Sequence, residues 1–278
     1  MYSQGSSRGR GGSSWGRLLV AAAIAIISLI SYFGTRNTNP VTKEVQHISL
    51  TPQQEIAMGL QAAPDMEAQF GGLDPNQNDQ QRVQSIGAQL VTSSPAQSTP
   101  YQYEYHLLAD PQTVNAFALP GGQIFITRAL YNDLQSDAEL AGVLGHETGH
   151  VVARHSAEQL AKAQLTEGLT GAAVIASCDP YRSQTGCATN AQIAAIVGQL
   201  INMKYSRADE TEADFLGVCF MSDASYDPQA MIQVMQILQA QEKGQSPPEF
   251  LSTHPSPANR IQQIQQDIQN IDQCPSNQ

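Results

Sequence analysis

His146, Glu147 and His150 form a His-Glu-x-x-His motif in a stretch that opens at Ser136. Ser136 followed by Glu139 is a capping box, which predicts the start of a helix, and apolar residues at helical spacing follow it. On a helix the two histidines lie one above the other, so both imidazoles can point at one ion. Neutral imidazoles suit zinc, and Glu147 projects from the same turn towards the place of a hydrolytic water. The motif therefore predicts a catalytic zinc site, which requires a third protein ligand.

An acidic segment further along the chain offers that third ligand. Glu210 and Asp214 are four residues apart in a helical pattern and share a face, which Glu212 does not. Two carboxylates on one face repel each other unless a cation or a histidine lies between them. We expect Glu210 to bind the metal and Asp214 to accept the N–H of a ligand imidazole; the alternative is a solvated acidic face. His155 falls roughly opposite His146 around the helix and is not expected to be a ligand.

The composition limits the class of protein. The chain has 278 residues, a length that is enough for a membrane anchor and one or two compact domains. Of these residues 41% are hydrophobic and 14% are charged. Four of its 14 basic residues precede position 37 and no acidic residue does, so the remainder has 10 basic and 25 acidic side chains and a formal charge of −15. That balance argues against nucleic acid as a partner.

The N-terminal region predicts a membrane element followed by a linker. Residues 1–17 are rich in Gly, Ser and Arg and are expected to be disordered. Residues 18–34 are apolar and fit a signal anchor or a secretory signal peptide, and the lack of a clean Ala-x-Ala site favours the anchor. The arginines in front of this apolar segment would keep the N terminus in the cytoplasm, so that the rest of the chain is exported. If the apolar segment is cleaved, the exported part is secreted. Residues 35–50 are predicted to be a linker, and residues 51–278 a zinc metallopeptidase domain.

Other patterns predict the elements that surround the motif. Helices are expected over 51–63 and 78–92, a strand over 101–108, and a hairpin that turns at Pro120. The edge of a strand beside the zinc helix can pair with an extended peptide and hold its scissile bond over the metal. The alternative is an ordinary sheet strand, because the sequence does not tell which edge is free.

Two apolar segments, 169–176 and 191–201, flank a polar loop. Each is shorter than a membrane span, so buried core helices are favoured. The alternative is that this apolar surface contacts the bilayer next to the anchor.

The four cysteines suggest up to two disulfide bonds in an oxidising compartment. Cys178 and Cys187 bracket the polar loop, and a bond that closes so short a loop would stabilise the fold by about 2–3 kcal/mol. Cys219 and Cys274 are a second possible pair. Four reduced thiols are the alternative, and none of the cysteines has the spacing of a zinc finger.

Together these motifs resemble one known family. The His-Glu-x-x-His at 146–150 and the Ser-Arg-x-x-Glu-x-x-x-Asp at 206–214 are similar to zinc metalloendopeptidases of the HtpX, CAAX-protease and Oma-type family, in particular its BepA/LoiP-like exported bacterial branch. The segments 115–127 and 252–261 also match, and the resemblance covers about residues 48–265.

The resemblance implies a fold and a set of site residues. The fold is a mostly helical α+β gluzincin metallopeptidase domain with a small β-sheet at the active-site edge, preceded by one N-terminal transmembrane or signal-anchor helix. Glu210 would be the third ligand of one zinc ion per chain, and Glu147 the general base. His254 would either stabilise the oxyanion or plug the fourth metal position, unless it only holds its own loop. Arg207 would position the acidic helix.

The resemblance also implies a function. The chain would hydrolyse peptide bonds of misfolded or unassembled envelope and membrane proteins, with the catalytic domain in the bacterial periplasm. Its partners would be such substrates and the membrane, through the N-terminal helix. We expect no C-terminal repeat domain like that of the branch and no multi-spanning topology like that of the CAAX enzymes, so processing of prenylated peptides is not expected. A non-catalytic, zinc-stabilised chaperone or scaffold is the alternative.

Overall fold

The computed structural model describes residues 14–177, 204–242, 248–254 and 259–276. It confirms the predicted fold class, a mostly helical α+β protein with a small sheet and one apolar N-terminal helix. The helices before the motif are α1 (Ser14–Gly34), α2 (Pro52–Gln69), α3 (Gln77–Ser93) and α4 (Arg128–Asp133). The helices from the motif onwards are α5 (Asp137–Val152), α6 (His155–Ser177), α7 (Arg207–Asp223), α8 (Ala230–Glu242), α9 (Phe250–Thr253) and α10 (Arg260–Gln269). The strands are β1 (Arg36–Thr38), β2 (Val45–His47), β3 (Glu104–Leu108), β4 (Ala116–Ala118) and β5 (Gln123–Thr127).

Helix α5 lies at the centre of the core, and every residue from Glu139 to Val152 is buried. It begins as predicted, because the Ser136 side chain accepts a hydrogen bond from Glu139 N. The side chain of Glu139 accepts from Gln135 N rather than from the cap residue. Helices α3, α7 and α8 pack around α5 and bury it. The motif is therefore carried by a helix that has little freedom to move.

The close packing of α7 on α5 depends on a glycine of α5, Gly149. A Cβ atom placed on Gly149 would lie 2.9 Å from the Ala213 carbonyl oxygen of α7. Real Cβ atoms do not tolerate that approach, so a larger residue would push the two helices apart. Gly149 therefore sets the short distance across which a side chain of α7 reaches the histidines of α5.

The segment expected to be a linker, residues 35–50, contains an antiparallel hairpin of β1 and β2. Its side chains close the C-terminal end of α5. Asn39 Nδ2 donates to the Val152 carbonyl at 2.9 Å, and the Gln46 amide donates to the Ala153 carbonyl. Because the last carbonyls of a helix have no partner inside it, this hairpin completes the helix that carries the motif.

The three-stranded sheet has the order β3-β5-β4, with β5 parallel to β3 and antiparallel to β4. The hairpin predicted at Pro120 is thus formed, by β4 and β5. Asn115 and Leu119 exchange hydrogen bonds with the β5 side, so the alternation of an antiparallel ladder turns the backbone groups of Ala116 and Ala118 outwards. Strand β4 is therefore one of the two outer strands of this sheet, and its outward backbone groups are buried, since Ala116 and Ala118 are both buried.

One of the two possible disulfide bonds is formed in the described residues. Cys219 of α7 is bonded to Cys274, and the Cα atoms are 5.6 Å apart. The bond ties the C-terminal segment to α7. Cys178 and Cys187 lie outside the described residues, as does the second apolar segment, 191–201. The first apolar segment, 169–176, belongs to α6.

An ion-pair network joins the start of α3 to the start of α4. Arg128 lies 2.6 Å from Asp74 and 2.8 Å from Asp79, and its side chain is 16% exposed. The hydrogen bonds from Arg128 lower the pKa of both carboxyl groups below their usual range, although burial opposes the shift. A carboxyl group whose pKa is lower in the folded state stabilises the fold above its unfolded pKa, and this contribution is lost as the pH falls.

We predict that Arg128→Met lowers the free energy of unfolding at pH 7 by about 2 kcal/mol, because two carboxylates lose a charged hydrogen-bond donor. The stability lost between about pH 4 and pH 2 should be smaller in the variant than in the wild-type chain. Urea unfolding followed by circular dichroism across this pH range measures both effects. The control is Arg82→Met, whose ion pair with Asp137 is more exposed and should contribute less than about 1 kcal/mol. Equal pH profiles for wild type and Arg128→Met would contradict the prediction.

Candidate metal centre

Four buried side chains converge in the core. One ligand atom from each of His146, His150, Glu210 and His254 lies within 4.8 Å of the others. The Nε2 atoms of His146 and His150 are 3.1 Å apart. The carboxylate of Glu210 lies 3.6 Å from His146 Nε2 and 3.5 Å from His150 Nε2. The structure thus brings together the three ligands expected from the sequence.

The fourth member of the cluster comes from the C-terminal part of the chain. His254 follows α9, and its Nδ1 lies 3.0 Å from Glu210 Oε1 and 3.3 Å from His146 Nε2. Its ring stacks on Phe250 with centroids 4.4 Å apart, which fixes the ring plane. The backbone of Tyr205 donates to the Thr253 carbonyl at 3.1 Å and so joins this loop to the start of α7. Of the alternatives for His254, the geometry favours a position at the metal over a purely local role.

Glu147 also faces this cluster. It is fully buried, and its Oε1 lies 3.5 Å from His254 Nε2. Burial raises the pKa of the Glu147 carboxyl, with the charges of His254 and His146 acting against the rise. A buried carboxylate with a raised pKa can accept a proton and release it again, as a general base requires.

Asp214 lies where the spacing on α7 predicted. Its Oδ1 is 2.9 Å from His146 Nδ1, so it can accept the N–H of that ring and leave Nε2 free for a metal. The pKa of Asp214 is lowered by Arg260 and His146, against the effect of burial. An ionised Asp214 raises the basicity of the imidazole that it holds.

Arg260 is the site residue whose role the sequence did not indicate. Its guanidinium is 2% exposed and donates to both oxygens of Asp214, at 2.6 and 2.8 Å. Its Nη1 atom also lies 3.0 Å from Glu210 Oε2. One guanidinium therefore fixes both carboxylates of α7. The available signal was the family resemblance of segment 252–261, which contains Arg260 but gave this arginine no role.

Arg207 is predicted to position the acidic helix, and in the described residues no ion pair joins its side chain to Glu210 or Asp214. It is the first residue of α7 and is exposed to solvent. Within the described ranges, the guanidinium that contacts the carboxylates is that of Arg260. By its spacing Arg207 shares a helical face with Glu210 and Asp214, but it lies at the exposed end of α7, whereas α10 packs against α7 and brings Arg260 to the two carboxylates.

His155 is not a member of the cluster, as predicted, but it contacts a member. Helix α5 ends at Val152, and Arg154 adopts a left-handed conformation with φ 60°, which turns the chain before α6 begins. His155 Nδ1 then lies 2.9 Å from His150 Nδ1, and His155 Nε2 lies 3.2 Å from Glu212. Helical periodicity alone could not find this contact, since it exists only because the helix is interrupted.

The electrostatics of the cluster favour a cation. Burial lowers the pKa of His150 well below its usual value, so this ring is neutral near pH 7. Burial tends to raise the pKa of Glu210, but the facing histidines lower it well below its usual range, so the carboxylate is ionised. The combination of neutral imidazole nitrogen and ionised carboxylate oxygen is the donor set that zinc prefers.

Unpaired polar atoms provide a test of whether a metal fits. In the part of the chain that the structure describes, both carboxylate oxygens of Glu147, Glu210 Oε2 and His254 Nε2 are buried without a well-formed hydrogen bond, although Arg260 Nη1 lies 3.0 Å from Glu210 Oε2 and His254 Nε2 lies 3.5 Å from Glu147 Oε1. Such atoms are costly unless another group satisfies them. A divalent cation among the ligand atoms, and a water beside Glu147, would satisfy them. The residues present therefore fit a zinc ion.

A narrow groove lies between His254 of the cluster and the β4 residues Phe117 and Ala118. Its wall is mostly apolar and includes Phe70, Phe117, Leu119 and Thr253, with His254 at one end. The outward backbone groups of β4 are therefore close to the candidate metal centre. This is the arrangement in which an added strand is held beside a reactive group.

Comparisons with known proteins agree with this geometry. A model of peptidase family M48 matches residues 77–268. The beta-barrel assembly-enhancing protease of Yersinia pestis is 32% identical over 220 residues, which are 77% of this chain and 43% of the relative. The corresponding protein of Escherichia coli K12 is 31% identical over 87% of this chain and 50% of its own length. Mitochondrial metalloendopeptidase OMA1 of Schizosaccharomyces pombe is 35% identical over 59% of this chain and 46% of its own. The chain thus spans about half the length of the curated relatives it matches.

Proposed function

This chain belongs to peptidase family M48, and we propose that it is a zinc-dependent endopeptidase. The observation that carries the proposal is the convergence of His146, His150 and Glu210, from two separate helices, on one buried point. The buried carboxylate of Glu147 beside that point supplies the group that hydrolysis needs. The names of the relatives, a protease that enhances β-barrel assembly and a mitochondrial metalloendopeptidase, support substrates among misfolded or unassembled envelope and membrane proteins.

In the proposed mechanism His146, His150 and Glu210 hold the metal. Bound zinc supplies a Lewis acid for the scissile carbonyl and lowers the pKa of the hydrolytic water towards 7. Glu147 accepts the proton of the attacking water and passes it to the leaving nitrogen. Asp214 holds the ring of His146 through Nδ1, and Arg260 keeps Asp214 and Glu210 in place.

The outer edge of β4 gives the substrate its orientation in this proposal. Because Ala116 is fully buried and Ala118 is 8% exposed, the residues that cover this edge must move before an extended peptide can form sequence-independent backbone hydrogen bonds with it. The apolar wall of the groove at Phe117 and Leu119 would then contact alternate side chains of the peptide. This mode of binding requires an unfolded segment, which is consistent with misfolded substrates.

The membrane attachment and the domain boundaries are part of the proposal. Residues 15–34 of α1 have a mean hydropathy of 2.0 and are long and apolar enough to cross a bilayer. We assign residues 1–17 to a basic N-terminal segment, 18–34 to a signal anchor and 51–278 to the metallopeptidase domain, exported to the periplasmic side. The ordered hairpin within 35–50 would then hold the anchor against the end of α5.

The test is cleavage of casein, an unfolded protein, by the full chain in detergent, with zinc measured in the same sample. We expect about one zinc ion per chain, cleavage products, and loss of both on treatment with a chelator, with recovery when zinc is added back. The non-catalytic alternative has one observation in its favour, because four protein donors around one point are typical of a structural zinc site. It predicts bound zinc without chelator-sensitive products, and that result would overturn the proposed function.

The position of His254 predicts a self-inhibited enzyme. Its Nδ1 occupies the side of the cluster where a catalytic site leaves room for water. We expect His254→Ala to increase the rate of casein cleavage about tenfold. This is the increase that results if His254 blocks the metal in all but roughly one wild-type molecule in ten. Initial rates at equal zinc content measure the effect, and His106→Ala, outside the cluster, is the control. A fall in activity would instead assign His254 to the oxyanion.

A further inference from the structure

Helix α6 lies along the proposed membrane anchor. Helices α1 and α6 pack against each other, and a Cβ atom on Gly168 would lie 2.2 Å from Ser28 Oγ, so the backbones approach closely there. Near the C-terminal end of α1, Ile48 N donates to the Thr35 carbonyl, and the neighbouring Ser49 donates to the Gln164 side chain at 3.4 Å. Residue 28 of α1 thus lies beside residue 168 of α6, and the end of α1 near residue 35 lies close to residue 164. Because the residue numbers rise in one helix as they fall in the other, the two helices are antiparallel.

The outer surface of α1 is not covered by the protein. Only 6% of its most apolar stretch is buried, and its exposed large side chains include Leu19, Ile27, Ile30 and Phe33. An uncovered apolar surface of this length is stable only in lipid. Whatever surrounds α1 must also surround the part of α6 that lies beside it.

The residues of α6 in this contact suit the same environment. Glu167 is the last charged residue of α6, and none occurs from Gly168 to Ser177. Ala21 and Ala172 are both buried, as expected for small residues between two closely packed helices in a membrane. Leu169 is 37% exposed.

We propose that the second half of α6, residues 168–177, enters the bilayer beside α1, so that two helices and not one attach this protein to the membrane. Tyr32, four residues above the Ser28 contact, would mark the lipid–water interface, where tyrosine is enriched. From that level α6 would reach about 20 Å into the hydrocarbon at 1.5 Å per residue. This inference rests on the proposed membrane attachment through α1.

The consequence concerns the substrate. Helix α6 begins at His155, which contacts the metal-binding His150. From Gln164, near the interface, to His155 is about 14 Å along the helix. The metal centre would therefore be held close to the membrane surface, where segments of membrane proteins that fail to insert are accessible.

The experiment uses depth-dependent quenching of tryptophan by brominated lipid. The single native tryptophan is removed by Trp15→Phe, and one tryptophan is introduced at an exposed apolar position: Ile26→Trp in α1, Leu169→Trp in α6 or Leu60→Trp in α2. Each full-length chain is reconstituted in vesicles of phosphatidylcholine with and without dibrominated acyl chains. We expect residues 26 and 169 to lose most of their emission in brominated vesicles and residue 60 to keep it.

The outcomes separate this inference from the anchor itself. Quenching at 26 but not at 169 would leave the anchor intact and overturn the insertion of α6. Quenching at neither position would overturn the membrane attachment and this inference with it. Quenching at all three positions would indicate adsorption of the whole chain and would also overturn the assigned depth. Circular dichroism checks that each variant keeps the wild-type helix content.

A different observation carries a second inference, about His155 and Glu212. For His150 to bind a metal through Nε2, which faces the cluster, its hydrogen must be on Nδ1. That hydrogen points at His155 Nδ1, 2.9 Å away, so His155 must accept there and carry its own hydrogen on Nε2. His155 Nε2 then donates to Glu212, 3.2 Å away.

We infer that Glu212 and His155 are positioning residues, which fix the tautomer and ring orientation of His150 as Asp214 does for His146. His155→Leu should weaken zinc binding about 10- to 100-fold, the usual effect of losing such a partner. His155→Asn should retain most of the affinity, because its side-chain oxygen can accept from His150 Nδ1 near the place of the lost ring nitrogen. Competition with a chromophoric chelator measures the dissociation constants.

A purely structural role would not separate the two variants, since both remove the imidazole. Wild-type zinc affinity in the Leu variant, or equal weakening in the Leu and Asn variants, would overturn the assignment. A wild-type chain that binds no zinc would overturn both this assignment and the proposed function. Thermal unfolding of the metal-free proteins shows whether both variants are folded.

Discussion

Glu147→Gln is expected to lower the rate of casein cleavage by at least about 100-fold, because the amide cannot take the proton of the attacking water. The change keeps the shape of the side chain and removes a buried carboxylate whose two oxygens have no hydrogen bond in the described structure. The variant should therefore fold at least as stably as the wild-type chain. It should also bind zinc with similar affinity, since Glu147 is not among the four ligand candidates.

Initial cleavage rates, zinc content and thermal unfolding together test this prediction. The matched control is Glu104→Gln, at an exposed glutamate of β3, which should change none of the three. Full activity in Glu147→Gln would refute the assignment of the base. A variant that loses zinc along with activity would instead move Glu147 into the metal site.

Arg260→Met is expected to have the second large effect, through the carboxylates that the guanidinium holds. Without it Asp214, which is 1% exposed, loses both of its charged hydrogen bonds and remains buried beside Glu210. Removing one partner of a buried ion pair costs about 3–5 kcal/mol of stability. The zinc affinity should fall about 10- to 100-fold, because Asp214 no longer orients His146.

Two further arginine variants test this prediction, one as a control and one as a conservative replacement. Arg207→Met changes the exposed arginine that the sequence had favoured, and it should alter stability by less than about 0.5 kcal/mol and leave zinc binding intact. Arg260→Lys keeps the charge but cannot bind both oxygens of Asp214 side by side, so it should recover only part of the loss. Urea unfolding and chelator competition measure both quantities. If Arg207→Met had the larger effect, the geometry described for Arg260 would be wrong.

The sequence by itself determined the part of the centre that is local. His146 and His150 share a face because a helix repeats every 3.6 residues, and the same rule joins Glu210 to Asp214. The repulsion between those two carboxylates then indicated that a cation or a histidine lies between them. The start of α5, the hairpin at Pro120 and the apolar N-terminal helix followed from equally local signals.

Contacts between distant parts of the chain were decided only by the tertiary structure. Arg260 reaches Asp214 across 46 positions, and His155 reaches His150 only because the chain turns at Arg154. The hairpin in residues 35–50 closes α5 from more than 100 positions away. Whether β4 is an edge strand, and whether α6 lies along α1, depends on which surfaces bury each other. Periodicity assigns a side chain to a face of its own element, but only the packing of the elements determines what that face meets.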